Sequence, residues 1–289
     1  MEDQLSQDGP TSPPWGWFPV EQFLIRRWDA TSPLSVDEQR RTLLQSFMET
    51  DVLPDGWTAP GDSVSRVPTV EEVRDILAPW RPQKVRKIAH QYLGRGNQYI
   101  ILRTYYGQDS DDKMAAILED EEDGDESLDP EDNWWRVLDD AQLFDFGDDW
   151  QQIFEILPEL VGHRGQQIHR GPSEAQIVSI RQEFAEFDQE DTLDQVSPIV
   201  DQIQKSAASG NGPLFVADEE ALEEKLLQVF YLDGYGNVVR YSAIEPESMG
   251  DMKVREEVSR DVDCWSNGEI GHHYKRQGEL AAKYYPQSG

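Results

Sequence analysis

Two short segments of the chain carry side chains that could do acid–base or metal chemistry. Close to Cys264, the residues Glu269, His272 and His273 offer thiol, carboxylate and imidazole donors, which are the ligand types that zinc accepts. Their spacing matches no standard zinc pattern, and two neighbouring glycines disfavour a helix that would present Glu269 and His272 together. We therefore predict no metal site and no cofactor, and keep these residues as candidates for a catalytic site.

A second group of candidates lies in a glycine-containing loop, where His163 and His169 are each followed by an arginine. Such a loop could hold an anion, although a mobile loop is the simpler interpretation. A nucleophilic serine would need an adjacent base and a tight turn, and the chain has no Gly-x-Ser-x-Gly sequence. Cys264 follows an aspartate, and acidic surroundings raise the pKa of a thiol. The sequence thus contains no diagnostic catalytic motif and favours a protein that is not an enzyme.

The strongest feature of the sequence is a run of acids. Between Asp109 and Asp149 there are eighteen aspartate or glutamate residues against Lys113 and Arg136, in a chain whose formal net charge is −31. Such a field repels nucleic acid and anionic membranes and attracts basic partners. We predict a basic protein partner, no nucleic acid and no membrane. The predicted partner-binding residues are Glu119, Asp120, Glu121, Glu122, Asp123, Asp125 and Glu126.

The sign of the charge reverses in the segment that precedes the acid run. From Arg74 to Arg103 there are seven lysine or arginine residues, and Asp75 is the single acid. One interpretation is a phosphate or RNA surface, with Tyr92 and Tyr99 available for stacking. The other is that this basic segment lies against the acidic insert of the same chain, or only offsets its charge. The net charge of −31 favours the second, because it opposes contacts to phosphate.

Length and composition bound the class of protein. With 289 residues, one large domain and two modest ones are equally plausible. The hydrophobic share of 37% is low, but nine tryptophans, ten tyrosines and ten phenylalanines argue against wholesale disorder. A single cysteine cannot form an intrachain disulfide, which fits a reducing compartment. Without a signal peptide or a spanning apolar stretch, we expect a soluble cytoplasmic protein, and a nuclear location stays open.

Helix signals dominate the first third of the chain. The capping box Ser35–Glu38 predicts a helix over about 36–49, and Thr69–Glu72 opens another, which Pro79 and Pro82 should end. Further helices are predicted at the following places: after Asp109 or Ser110 with Met114 and Ile117, around Trp150 to Leu157, after Ser173, near 199–203, at 219–226 and at 279–285.

Strand signals begin at residue 98. The apolar segment 98–105 and the segment Leu214 to Ala217 predict buried strands. Two further strands, 229–232 and 238–243, are joined by a turn from Asp233 to Asn237 and form a hairpin.

We therefore predict an α+β (or irregular α/β) fold. Residues 1–14 form a disordered leader, 15–95 a mainly helical N-terminal region, and 96–289 an α/β region with an acidic insert at about 119–132. The helical part is expected to pack on a small mixed sheet that has flanking helices.

Two segments carry a resemblance to a known family. Residues 100–104, followed by the acidic 109–112, and residues 214–218, ahead of the strand 238–243, resemble a family of small uncharacterised α/β domains found in bacteria and fungi. In that family the first segment is similar to a strand that leads into an acidic helix start, and the second to a later core strand. The resemblance spans residues 98–245 at most, is interrupted by roughly a hundred residues, and implies no activity.

The functional hypothesis from the sequence is a soluble, non-catalytic interaction or regulatory protein that uses its acidic surface to bind a basic partner. The alternative is an accessory enzyme of a small-molecule, secondary-metabolite type of pathway. Its site would be built from histidine and carboxylate groups around His163 and His169, or within the segment from Glu269 to His273.

Overall fold

A computed structural model describes residues 13–50, 53, 54, 57, 65–94, 99–119, 135–161, 172–183 and 213–244. The fold class is α+β, as predicted. The chain divides into two compact units. Unit 1 comprises residues 1–96 and 153–168, and unit 2 comprises residues 97–152 and 169–289.

Unit 1 begins with two helices, α1 (Pro19–Arg27) and α2 (Val36–Glu49). The predicted start of α2 is confirmed. The Ser35 hydroxyl accepts a hydrogen bond from the Glu38 N–H, and the Glu38 carboxylate accepts one from the Ser35 N–H. This reciprocal contact satisfies two backbone donors that the first helical turn leaves without intrahelical partners.

The next helix passes through Pro79 and ends at Trp80, ahead of Pro82, the second of the two prolines that were predicted to end it. It consists of α3 (Val70–Glu72), a π-helical turn (Val73–Leu77) and α4 (Ala78–Trp80). In the π turn the Ala78 N–H bonds to the Val73 carbonyl, five residues back. This wider turn changes the backbone geometry where a proline would otherwise clash with the preceding turn, so the helix continues to Trp80. Helix α5 (Gln83–Gly94) then starts directly after Pro82.

Unit 1 is completed by a later part of the chain. A short helix at Ile153–Ile156 and a 3-10 turn at Pro158–Leu160 belong to it, although the sequence-based division ended the helical region at residue 95. Pro13 and Pro14, assigned to the leader from sequence, accept hydrogen bonds from Arg86 through their carbonyl oxygens. The buried apolar side chains of unit 1 include Phe18, Phe23, Leu24, Phe47, Leu77, Val85, Ile153, Phe154 and Leu157.

Unit 2 contains a five-stranded mixed sheet of order β2-β1-β3-β4-β5. The strands are β1 (Tyr99–Arg103), β2 (Trp135–Leu138), β3 (Leu214–Ala217), β4 (Leu227–Leu232) and β5 (Val238–Ile244). Strand β1 pairs in parallel with β2 and β3, whereas β4 is antiparallel to both β3 and β5. Four of these strands confirm the sequence prediction. Strand β2 was missed, because it lies inside the acid run.

The predicted hairpin between β4 and β5 is confirmed, and its turn is organised by Asp233. This buried carboxylate accepts hydrogen bonds from the N–H groups of Tyr235 and Asn237 and from the Asn237 side chain. Gly236 has φ +81°, a conformation that glycine adopts without the steric cost of a Cβ. The oxygens of Asp233 are thereby used within the turn.

Two helices of unit 2 cover one face of the sheet, α6 (Ser110–Glu119) and the helix at Glu219–Glu224. Between them and the sheet lies a core made of Ile101, Met114, Ile117, Phe215, Ala217, Leu222, Leu227, Val229 and Tyr231. Two more helices, at Ala141–Phe144 and Glu174–Glu183, belong to this unit, and no residue of the second is buried. In the described ranges, no helix is long and apolar enough to cross a bilayer.

Candidate functional site

The carboxyl ends of the parallel strands define one edge of the sheet. The chain leaves β1 towards β2 and leaves β3 towards β4, which are opposite directions across the sheet. Such a switch in connection is where ligands bind in open α/β sheets. The residues that directly follow the three strands are Thr104, Asp139 and Asp218. We call the edge formed by these three residues and the turns after them the carboxyl edge.

Arg103, the last residue of β1, is the central cation of the carboxyl edge. Its Nη1 lies 3.3 and 3.2 Å from the two Asp139 carboxylate oxygens, and its Nη2 lies 2.8 Å from the Ser110 hydroxyl. Nη2 also donates to Asp111, and Nε donates to the Tyr105 carbonyl at 3.1 Å. All three guanidinium nitrogens are thus engaged inside the chain, so Arg103 is not available to a phosphate.

Two tyrosines line the same turn. The Tyr106 ring stacks on Arg103, with 4.4 Å between the guanidinium carbon and the ring centroid. The Tyr106 hydroxyl donates to the Arg103 carbonyl and accepts from the Asp140 N–H, and burial raises the pKa of this phenol. A hydrogen bond to the Glu219 carboxylate raises the pKa of Tyr105. Both hydroxyls therefore stay protonated in the physiological range, and each is held by its neighbours.

Asp218 begins the helix at Glu219–Glu224 and is mostly buried. Its Oδ1 accepts a hydrogen bond from the Ala221 N–H at 2.8 Å, and its Oδ2 accepts one from Gln228 Nε2 at 2.7 Å. Burial raises the pKa of Asp218, and the nearby charges of Glu220 and Asp148 raise it further. The arrangement positions a carboxyl group that is less readily ionised than an exposed aspartate.

Replacement of Asp218 by asparagine is expected to make the stability of unit 2 less dependent on pH. Because the folded-state pKa is raised, the folded protein holds this proton more tightly than the unfolded chain, and stability is lost as pH rises through the folded pKa. The asparagine side chain would still cap the helix without this loss. We expect the free energy of unfolding of Asp218→Asn, relative to wild type, to improve between pH 4 and pH 7 in urea titrations.

The matched control for this prediction is Asp218→Ala, which removes the cap as well as the charge. Loss of a helix N-cap costs about 1 kcal/mol, so this variant should be less stable than Asp218→Asn at every pH. If the stability of Asp218→Asn falls relative to wild type as the pH is raised, the pKa of Asp218 is not raised in the folded protein.

Of the candidate site residues predicted from the sequence, one lies in the described part of the chain and the others lie outside it. His163, His169, Glu269, His272 and His273 lie outside the described residues, so the histidine–carboxylate site remains a prediction. Of the predicted partner-binding acids, Glu119 is the last residue of α6. The others, Asp120, Glu121, Glu122, Asp123, Asp125 and Glu126, also lie outside the described residues.

The basic segment is not a continuous cationic surface. Arg81 and Arg86 are fully buried and form ion pairs with Glu159 and Glu21. A phosphate cannot reach these two guanidinium groups, so the interpretation as a phosphate surface is wrong for both. Arg103 contacts Asp111 and Asp139, which belong to the acid run on either side of the insert. Contact of the basic segment with the insert itself stays a prediction, because residues 120–132 lie outside the described residues.

Sequence reasoning missed the carboxyl edge as a site. The available signal was a polar residue directly after an apolar strand, as in Leu138–Asp139 and Ala217–Asp218. It was overlooked because β2 was not recognised, and without β2 the parallel arrangement of three strand ends cannot be inferred. In the part of the chain that the structure describes, no group of three or more His, Cys, Asp or Glu side chains is placed to hold a metal ion.

Comparison with protein-family models, with curated proteins and with solved structures gives no match to this chain. The resemblance to small α/β domains of bacteria and fungi therefore remains a prediction.

Proposed function

We propose that the chain is a non-catalytic binding protein that uses an acidic surface to hold a basic protein partner. The observation that carries the proposal is the charge of the carboxyl edge. Asp112, Asp148 and Glu220 are exposed there, in addition to Asp111, which is paired with Arg103. The two cations described beside them, Arg103 and Lys113, are already paired with carboxylates of the chain itself. The edge therefore presents unneutralised negative charge to solvent.

The ion pairs of Arg103 with Asp111 and Asp139 also support a binding role for the carboxyl edge. Arg103 is 4% exposed, and its contacts fix Asp111 and Asp139, whose side chains are 88% and 44% exposed. Carboxylates that are already oriented lose less conformational entropy when a partner arrives. The predicted acids begin at Glu119, the last residue of α6, continue to Glu126, and extend the same negative stretch of the chain.

Charge neutralisation at the carboxyl edge is expected to slow association with a basic partner. The edge variant combines Asp112→Asn, Asp148→Asn and Glu220→Gln, because these acids are exposed and can lose their charge without uncovering the core. With an arginine- and lysine-rich peptide as the probe, we expect roughly tenfold slower association at low salt, because exposed charges steer encounter more than they hold the complex. Stopped-flow fluorescence measures the rate.

A control with the same charge change combines Glu71→Gln, Glu174→Gln and Glu183→Gln, which are exposed acids that do not belong to the carboxyl edge as defined. A second variant replaces the acids from Glu119 to Glu126 by amides and tests the predicted binding residues. Raising the salt from 0.1 M to 1 M shortens the Debye length from about 10 Å to about 3 Å and should weaken binding. Equal slowing by the control variant, or binding that is insensitive to salt, would refute the proposal.

A further inference from the structure

Three side chains of unit 1 form a cationic aromatic cluster, which we call the Arg–Trp patch: Arg26, Arg27 and Trp57. The guanidinium carbons of Arg26 and Arg27 lie 5.3 and 5.6 Å from the centroid of the Trp57 ring. At these distances the negative face of an indole attracts a cation. Both arginines are exposed and belong to the last turn of α1.

Two hydrogen bonds hold the backbone of Trp57, and one aromatic contact holds its ring. Its backbone N–H donates to the Pro54 carbonyl at 3.1 Å, and its own carbonyl accepts a hydrogen bond from the Ser65 hydroxyl at 3.3 Å. The ring meets the buried Phe23 edge to face, with 5.7 Å between centroids. The indole therefore packs against a buried ring of unit 1, and the two arginines lie against the indole.

Neither arginine of the patch has a carboxylate within ion-pair distance in the described part of the chain. Arg26 donates through Nε to the Gln22 side chain at 3.2 Å, which leaves Nη1 and Nη2 for a ligand. Arg27 contacts aromatic rings, including Phe23 at 5.9 Å. By contrast, other arginines of unit 1 are paired: Arg40, Arg41, Arg66, Arg74, Arg81 and Arg86.

The location of Arg26 and Arg27 at the C-terminal end of α1 explains only in part why two cations lie together there. The partial negative charge at the C-terminus of α1 favours cations. It does not compensate the repulsion between two guanidinium groups gathered at one ring, whereas an anion bound to both would. Guanidinium groups with free Nη atoms bind carboxylates in a bidentate, planar geometry.

We propose that the Arg–Trp patch binds a short acidic segment of another protein. Two or three carboxylates would bind Arg26 and Arg27, and an adjacent apolar side chain would pack on the Trp57 indole. Nucleic acid is disfavoured because its phosphate charges repeat along its whole length, and most of these charges would meet a chain with a net charge of −31. The patch is small and local, which suits a short peptide.

The test uses three labelled probes of equal length with the full chain: a peptide of glutamates and leucines, its glutamine analogue, and a single-stranded RNA. Fluorescence anisotropy measures binding. We expect the acidic peptide to bind at least about tenfold more tightly than the glutamine analogue, as expected for charge-assisted contacts. We expect the double variant Arg26→Gln, Arg27→Gln to lose about tenfold in affinity for the acidic peptide.

The matched control is the double variant Arg41→Gln, Lys87→Gln, which removes two exposed cations elsewhere in unit 1 and should leave affinity within about twofold. Arg26→Lys with Arg27→Lys keeps both charges and the helix, and should weaken binding by losing the bidentate geometry. Three outcomes would overturn the inference: equal loss in the control, equal affinity for the glutamine analogue, or tighter binding of RNA. The edge variant should bind the acidic peptide unchanged, which separates this test from that of the proposed function.

Discussion

Glu159→Gln is expected to lower the free energy of unfolding by about 3–5 kcal/mol, because it removes the charge of the carboxylate that is hydrogen-bonded to the buried Arg81 cation. The side chains of Arg81 and Glu159 are 0% and 1% exposed. Arg81 Nη1 and Nη2 donate to the two Glu159 oxygens at 2.7 and 2.6 Å, while Nε has no hydrogen-bond partner among the described residues. Chemical denaturation followed by tryptophan fluorescence measures the loss.

A matched control is available at Glu155, four residues before Glu159 in the sequence. Glu155→Gln removes the same charge from the Arg41–Glu155 pair, whose side chains are 63% and 43% exposed. Exposed pairs contribute at most about 1 kcal/mol, so this variant should change stability little. Replacing Arg81 by Met together with Glu159 by Leu removes both charges and should recover much of the loss. A Glu159→Gln variant as mild as Glu155→Gln would show that the pair is not desolvated.

Arg86→Met is expected to destabilise unit 1 by a similar amount, about 3–5 kcal/mol, since Glu21 would lose its buried counter-ion. Arg86 Nε lies 2.6 Å from Glu21 Oε1, and the Nη groups donate to the Pro13 and Pro14 carbonyls at 2.9 Å. The guanidinium also stacks on Trp15 at 3.9 Å. We therefore expect release of the segment from Pro13 to Trp15, measured as faster proteolysis and a red-shifted tryptophan emission.

The loss in Arg86→Met should depend on pH. Burial raises the pKa of Glu21, and Arg86 counteracts this effect. Without Arg86 the folded-state pKa of Glu21 rises further, so the folded chain is least stable where Glu21 must be ionised. We expect a smaller loss at pH 4 than at pH 7. Lys87→Met, on the exposed side of the same helix, is the control and should stay within about 0.5 kcal/mol of wild type. A pH-independent loss would argue against an unpaired Glu21 charge.

Much of the local structure follows from the sequence, because its determinants lie a few residues apart. The capping boxes at Ser35 and Thr69 set the first turns of their helices through contacts over three residues. The hairpin turn is set by Asp233, whose side chain bonds to N–H groups two and four residues ahead. Short apolar runs set β1 and β3. The helix and strand signals along the chain likewise predicted the α+β class, and the acid run is the dominant electrostatic feature of the sequence.

The tertiary structure decided what the charged residues do. In the sequence, Arg81 and Arg86 belong to a segment rich in basic residues and could be part of a basic surface. Their partner carboxylates lie 78 and 65 residues away, and only folding brings each pair together. The same holds for the carboxyl edge, where Arg103 meets Asp139 across 36 residues through the parallel pairing of β1 with β2. Patterns of period two or 3.6 carry no information on such pairings, because an ion pair is specified by distance in space and by burial.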